Sequence, residues 1–177
     1  MNLSAVFHET TSCAMRYGFA YIASAIFVPA SATYAQHTHG EATLMMGVEG
    51  SGGRIELRAP GDDLLGSERE PRTAAERATQ QRVFDRLRSD GARLFRFAPA
   101  LGCRVPFDSV GMVKGRGGHS EVFARWRIQC RRILAGSPIG FGVSAAFPRI
   151  ERMSVQLLSD SAQVGRVIIR DRGTLIP

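Results

Sequence analysis

Lysine is nearly missing from this sequence. Lys114 is the only one, although lysine and arginine together number 23 and the formal charge is +7. The arginines are scattered among expected strands and one helix, often beside acids, and form no stripe. The basic balance therefore reads as arginine usage of a GC-rich coding sequence, not as a nucleic-acid surface. Long hydrophobic runs are missing too. The longest, Tyr17 to Val28, is about a dozen residues, and a membrane-spanning helix needs roughly 20. Catalytic signatures are equally scarce. There is no GxSxG, no phosphate-binding Walker loop, no HExxH and no dinucleotide fingerprint. Only four histidines occur: His8, His37, His39 and His119. No nucleophile–base pair can be assembled, so an enzyme is not expected.

Cysteine is sparse as well. Cys13, Cys103 and Cys130 are the only three, and none forms a CxxC pair. That spacing argues against a thiolate zinc site. Cys13 falls in or before the apolar run. That run has the shape of a secretory leader, with a small-residue tail and two plausible cuts, after Ala32 or after Ala35. The second is preferred, because Gln36 opens a segment of different character. Glu9 and His8 fit poorly in the positive end of a leader, so the true start is read as Met15. The expected organisation is a leader over 1–35 and a single exported domain over 36–177. No membrane anchor is expected after cleavage. In an oxidising compartment Cys103 and Cys130 are expected to pair, with metal thiolates as the competing reading.

The sequence as a whole has an ordinary globular balance, 44% hydrophobic and 22% charged. Ala42, Leu44, Met46 and Val48 alternate with polar or small neighbours, and so do Ile55, Leu57 and Ala59. With Gly50 to Gly53 between them, the two runs predict a β-hairpin. A loop through Asp62, Asp63 and Gly66 follows, with the acids read as solvated turn residues. Thr73 stands three residues before Glu76, a capping box. It predicts a helix to about Ser89, ended by Gly91, with a thin apolar face of Ala75, Ala78, Val83 and Leu87. Leu94 to Phe97 suits a short strand or more helix. Val105 to Val113 predicts a weaker strand and Lys114 to Gly118 a hairpin tip. Val122, Ala124, Trp126, Ile128 and Cys130 alternate most clearly of all. Further strands are expected at Ile139 to Val143, Met153 to Leu157 and Val164 to Arg170. The expected fold is α+β: a mainly antiparallel sheet of about six or seven strands with one helix on a face.

The histidines offer the one chemical signal. Residues two apart on an extended segment project to one side, so His37 and His39 can reach one ion. After cleavage at Ala35 the new α-amine would lie next to His37 and could join in binding Cu(II) or Zn(II). His119, with Glu121 two residues on, leads into the Trp126 strand. The His-x-His arm could meet His119 and Glu121 if the first and fourth strands end near each other. The competing reading makes His37 and His39 polar tail residues and His119 a solvated loop residue.

Several blocks, in order, resemble the zinc-binding periplasmic ZrgA-like family. They are HTHGEATL, VEGSGGRIELRAPGDDLLGSE, PRT at the helix start, GC at Gly102-Cys103, GHSEVFARWRIQC and AAFPRIERMSVQLLS. The resemblance implies periplasmic residence, zinc binding, and a link to zinc acquisition and its transport components. Typical members carry a long His/Asp-rich insert before the block that reads GHSEV here. In this chain it has shrunk to KGRGG, leaving His119. Arg69 follows Glu68 where many members have histidine, and Phe123 stands where a polar residue or histidine is common. A guanidinium cannot ligate and repels a nearby cation. The expected zinc ligands are His37, His39, His119 and Glu121, with Glu41 as a further carboxylate. The alternative function is an interaction or scaffold domain that has lost its metal.

Overall fold

The alternating runs become the centre of a six-stranded sheet. The structure, a computed structural model, describes residues 39–114 and 119–177. The leader, Met15, Cys13, His37 and the 115–118 tip lie outside the described residues. β1 (Glu41–Glu49) and β2 (Gly52–Pro60) form the expected hairpin, with Leu44 opposite Leu57 and Met46 opposite Ile55. β4 (Phe107–Lys114) and β5 (Ser120–Gln129) extend it beside β2. β7 (Arg152–Ser159) and β8 (Gln163–Ile169) extend it beside β1. The order is β4-β5-β2-β1-β7-β8. Every neighbouring pair is antiparallel except β1 with β7. A parallel pair needs a long crossover, and everything between residues 49 and 152 supplies it.

One face of this sheet builds the core. Leu44, Ile55, Leu57, Trp126 and Leu157 are each 0–1% exposed. Burying each such side chain stabilises by roughly 1.5–3 kcal/mol before entropy is counted. The core is closed by α2 (Ala74–Ser89), by three short helices and by a second sheet. The helices are α1 (Gly61–Leu65), α3 (Gly91–Leu94) and α4 (Val143–Ala146). The small sheet joins β3 (Phe95–Phe97), β6 (Ile139–Phe141) and β9 (Thr174–Leu175) in the order β3-β6-β9. The α+β class and the mainly antiparallel sheet agree with the sequence reading.

Several local readings change. The capping box is as expected: Thr73 and Glu76 exchange hydrogen bonds at the start of α2. The apolar face of α2 is even thinner than its sequence suggests. Ala75 and Ala78 lie in water, and only Leu87 is fully buried. Trp126 fastens that end of the helix by donating from its indole N–H to the Leu87 carbonyl at 3.0 Å. Gly91 opens α3 instead of merely ending α2. A Cβ there would sit 2.8 Å from the Val105 carbonyl oxygen and 3.1 Å from the Trp126 ring, so the glycine permits close packing. Leu94 ends that helix, and the strand starts at Phe95, combining the two alternatives. Val143 leaves the strand pattern and begins α4. Asp62 and Asp63 sit in α1, not in an open loop. The two-residue β9 carries too little periodicity to read in advance.

Cys103 and Cys130 form a disulfide across a sequence separation of 27. It ties the turn at Pro99–Leu101 to the end of β5, where Arg104 also bridges Gln129. In the chain-entropy account a loop of this length stabilises by about 3–4 kcal/mol.

Candidate metal centre

The start of β1, the end of β2 and the start of β5 meet at one end of the large sheet. The registers require it: Thr43 faces Arg58, and Pro60 faces Glu121. His39 therefore stands just before one edge of this corner and His119 just before the other. α1 and Glu68 fill the space beside them. A Cβ on Gly61 would come within 2.8 Å of the Ser67 carbonyl oxygen and 3.0 Å of that of Ser120. Only glycine lets α1 lie so close to β5.

Hydrogen bonds then set the ligand-bearing backbone. The Ser120 N–H donates to the Glu68 carbonyl at 2.9 Å, and the Ser120 hydroxyl donates to the same oxygen. That clamp fixes Glu68 next to His119. Gly40 has a φ of +79°, a left-handed conformation that glycine adopts at little cost. Its N–H donates to Asp63 Oδ2 at 2.8 Å. Its carbonyl accepts from the N–H groups of Glu151 and Arg152 at 2.9 and 3.0 Å. His39 is thereby held from both sides of its neighbour.

The result is a cluster of imidazoles and carboxylates. His119 Nδ1 contacts Glu68 Oε2. The other oxygen of the same carboxylate, Oε1, lies 3.8 Å from His39 Nε2. On its opposite side, His39 Nδ1 is 3.9 Å from Asp62 Oδ2. One ligand atom each from His39, Asp62 and Asp63 falls within 4.8 Å of the others. Two ligands on a tetrahedral zinc are roughly 3.3 Å apart, given bonds of about 2.0–2.1 Å. Within the His39, Asp62 and Asp63 group the edges need only modest side-chain adjustments to reach that, and His119 joins through its contact with Glu68. Imidazole nitrogen with carboxylate oxygen is also a donor set suited to zinc.

Electrostatics favour a cation here and also oppose it. Asp63 is 7% exposed. Burial pushes its carboxyl above the ordinary aspartate range, against the pull of the Gly40 N–H and of the charge on His39. A partner of positive charge would relieve that cost. Arg149 supplies part of it already: it donates to the Asp62 carbonyl at 2.9 Å and lies 3.8 Å from Asp62 Oδ2.

The structure thus brings His39 and His119 to a common carboxylate, and that carboxylate is Glu68. Glu121 lies on the far face of the sheet, where it accepts from Arg58 at 3.1 Å. Alternation along β5 explains this: Ser120 and Val122 point to the core, so Glu121 points away. Glu41 accepts from the Ser154 hydroxyl at 2.7 Å. Arg69 is turned to Glu76 at the start of α2, 3.0 Å away. Spacing alone missed Glu68, Asp62 and Asp63. The available signal was their place in GDDLLGSE, directly after a strand that ends where β1 and β5 begin.

A comparison with known protein families matches residues 36–176 to the ZrgA family zinc uptake protein. The chain belongs to this family. A search of curated proteins gives no match. Membership of the ZrgA family associates the chain with zinc uptake, and the imidazole–carboxylate corner is compatible with that cargo. Among the described residues no helix is long and apolar enough to cross a membrane.

Proposed function

We propose that this ZrgA family member is a periplasmic accessory zinc-binding protein that holds or hands over zinc and does not catalyse. The observation that carries the reading is the convergence of His39 and His119 on the two oxygens of Glu68. In this reading zinc is held by His39 Nε2, His119 and Glu68. Asp62, on Nδ1 of His39, acts as the outer carboxylate that orients a metal-bound imidazole. His37, two residues before His39 in the sequence, is the fourth ligand in this reading, with water as the alternative. Glu68 suits the carboxylate role better than Glu121, which serves Arg58. The shortened KGRGG segment leaves one site where a long His-rich insert would make a store.

Calorimetric titration of residues 36–177 with zinc tests this. One site of weak to moderate affinity is expected, and a His39→Ala/His119→Ala double variant should lose it. Equal zinc heats from the two proteins would overturn the assignment.

A second reading, an interaction domain without metal, is favoured by one observation. Arg149 already places a guanidinium beside Asp62. An Arg149→Gln variant separates the two. Tighter zinc binding fits a resident site that Arg149 weakens, whereas no binding in either protein fits the interaction domain.

A further inference from the structure

The six-stranded sheet uses only one face for its core. Its other face carries Met45, Val113, Leu158, Val167 and Ile169, each 37–61% exposed. These are five of the seven large hydrophobic side chains found exposed on the described surface. Exposed apolar residues scattered singly need no explanation, but a group on one sheet face does.

Register shows how the face is organised. Read across the strands from β5 to β8, one row is Arg127, Arg54, Gly47, Leu158 and Gln163. The next row is Arg125, Glu56, Met45, Gln156 and Gly165. In that row the charges are matched. Arg125 donates to Glu56 at 2.6 Å, and Arg58 spans Glu56 and Glu121 at 2.5 and 3.1 Å. Burial alone would raise the Glu56 carboxyl, but these guanidiniums outweigh it and hold it below the ordinary range. Arg54 and Arg127 differ. They are direct cross-strand partners of like charge, and neither side chain has a counter-ion among the described residues. Such a pair is unfavourable for the sheet itself.

The glycines add an independent observation. Gly47 and Gly165 lie within strands on this open face, and a Cβ on either would meet nothing within 4 Å. No crowding in this chain requires glycine there. Glycine inside a strand often marks where a ligand or another backbone approaches closely. A groove of about 480 Å³ runs over this region, lined by Met45, Gly47, Arg54 and Leu158 and also by the carboxylates of Glu56 and Asp108.

We propose that this face binds an acidic polypeptide segment of another protein. The segment lays apolar side chains over the bare floor at Gly47 and Gly165, against Met45 and Leu158. Its carboxylates meet the Arg54–Arg127 pair. Charge selects this occupant over a second copy, because two such faces would bring unmatched arginines together on chains of charge +7. Polypeptide backbone, unlike a lipid tail, also uses the close approach that the two glycines allow.

The probes are a short peptide of alternating leucine and glutamate, its leucine–lysine counterpart, and phosphatidylglycerol vesicles. Residues 36–177 are titrated with each, and backbone amide NMR shifts locate the contact. The leucine–glutamate peptide is expected to move amides of β1, β2 and β7 and to bind more weakly as salt rises. An Arg54→Glu/Arg127→Glu variant is expected to weaken it about tenfold or more. Gly47→Leu, which fills the floor without changing charge, is expected to weaken it as well. Amide spectra and melting curves matching those of the unaltered protein show that both variants fold. The proposal is overturned by shifts elsewhere or none, by equal binding of the leucine–lysine peptide, by vesicle binding without peptide binding, or by self-association through this face in sedimentation.

Discussion

The backbone N–H of Gly40 donates to the buried carboxylate of Asp63 at 2.8 Å, so the position of His39 depends on a group in α1. Gly40 can take part only because its φ is +79°. A Gly40→Ala variant is expected to lose about 1–2 kcal/mol of stability, the cost of a left-handed non-glycine residue. Zinc affinity is expected to fall with it, by about tenfold, as the imidazole shifts. Urea melts and calorimetry read the two effects. Full stability with full affinity would show that the turn does not position His39.

Asp63 predicts a trade between stability and binding. Burial raises its folded-state pKa, so over the window above 3.8 the folded protein holds a proton that the unfolded chain has released. Stability from this group is present at lower pH and falls as pH rises through that window. At neutral pH the ionised carboxyl therefore opposes folding of the metal-free protein. Asp63→Asn is expected to raise its melting temperature in chelator at pH 7 and to lower zinc affinity. A variant that is less stable in chelator would contradict this.

Glu68 and Glu121 separate the observed corner from the spacing argument. Glu68→Gln is expected to weaken zinc binding by about 10–100-fold, in the range seen when groups that hold a metal site are altered. Glu121→Gln is expected to leave it nearly unchanged. The reverse order would return the carboxylate role to Glu121.

Zinc binding should also depend on pH, because imidazoles ligate only when neutral. Affinity is therefore expected to fall as pH drops, by up to about tenfold per ligating imidazole for each pH unit once it protonates. Competition titrations from pH 7.5 to 5 measure the slope. A flat profile is incompatible with histidine ligands.

Replacing both Cys103 and Cys130 by serine is expected to cost about 3–4 kcal/mol, through the entropy of the opened chain. Zinc affinity measured below the melting range is expected to persist, because the bridge lies at the other end of β5 from His119. Equilibrium unfolding with and without reductant checks the first part.

The strands at Ala42, Ile55, Val122 and Met153 were legible because one buried face makes a strict two-residue period. The helix was legible from Thr73 and Glu76 for an equally local reason. What stayed hidden was set by distant contacts. The parallel pairing of β1 with β7 leaves no mark in either strand. Gly91 looks like a helix stop until Val105 and Trp126 are placed against it. The site divides the same way. His39 and His119 stand out because histidine is rare here, whereas Glu68 gains its role only when Ser120 grips its carbonyl. Asp63 looked solvated because its backbone partner, Gly40, lies 23 residues earlier.

The Gly40 carbonyl is held by the N–H groups of Glu151 and Arg152, at the threshold of β7. Chelation by the front of the chain therefore waits on its rear. A nascent or truncated polypeptide ending before residue 150 would possess His39, Asp63, Glu68 and His119, yet lack the strand that seats the first of them. Because that contact spans more than a hundred residues, it belongs to the slow, non-local part of assembly. If the proposed site binds zinc, its affinity would be acquired late in maturation, as a report that the last strands have docked.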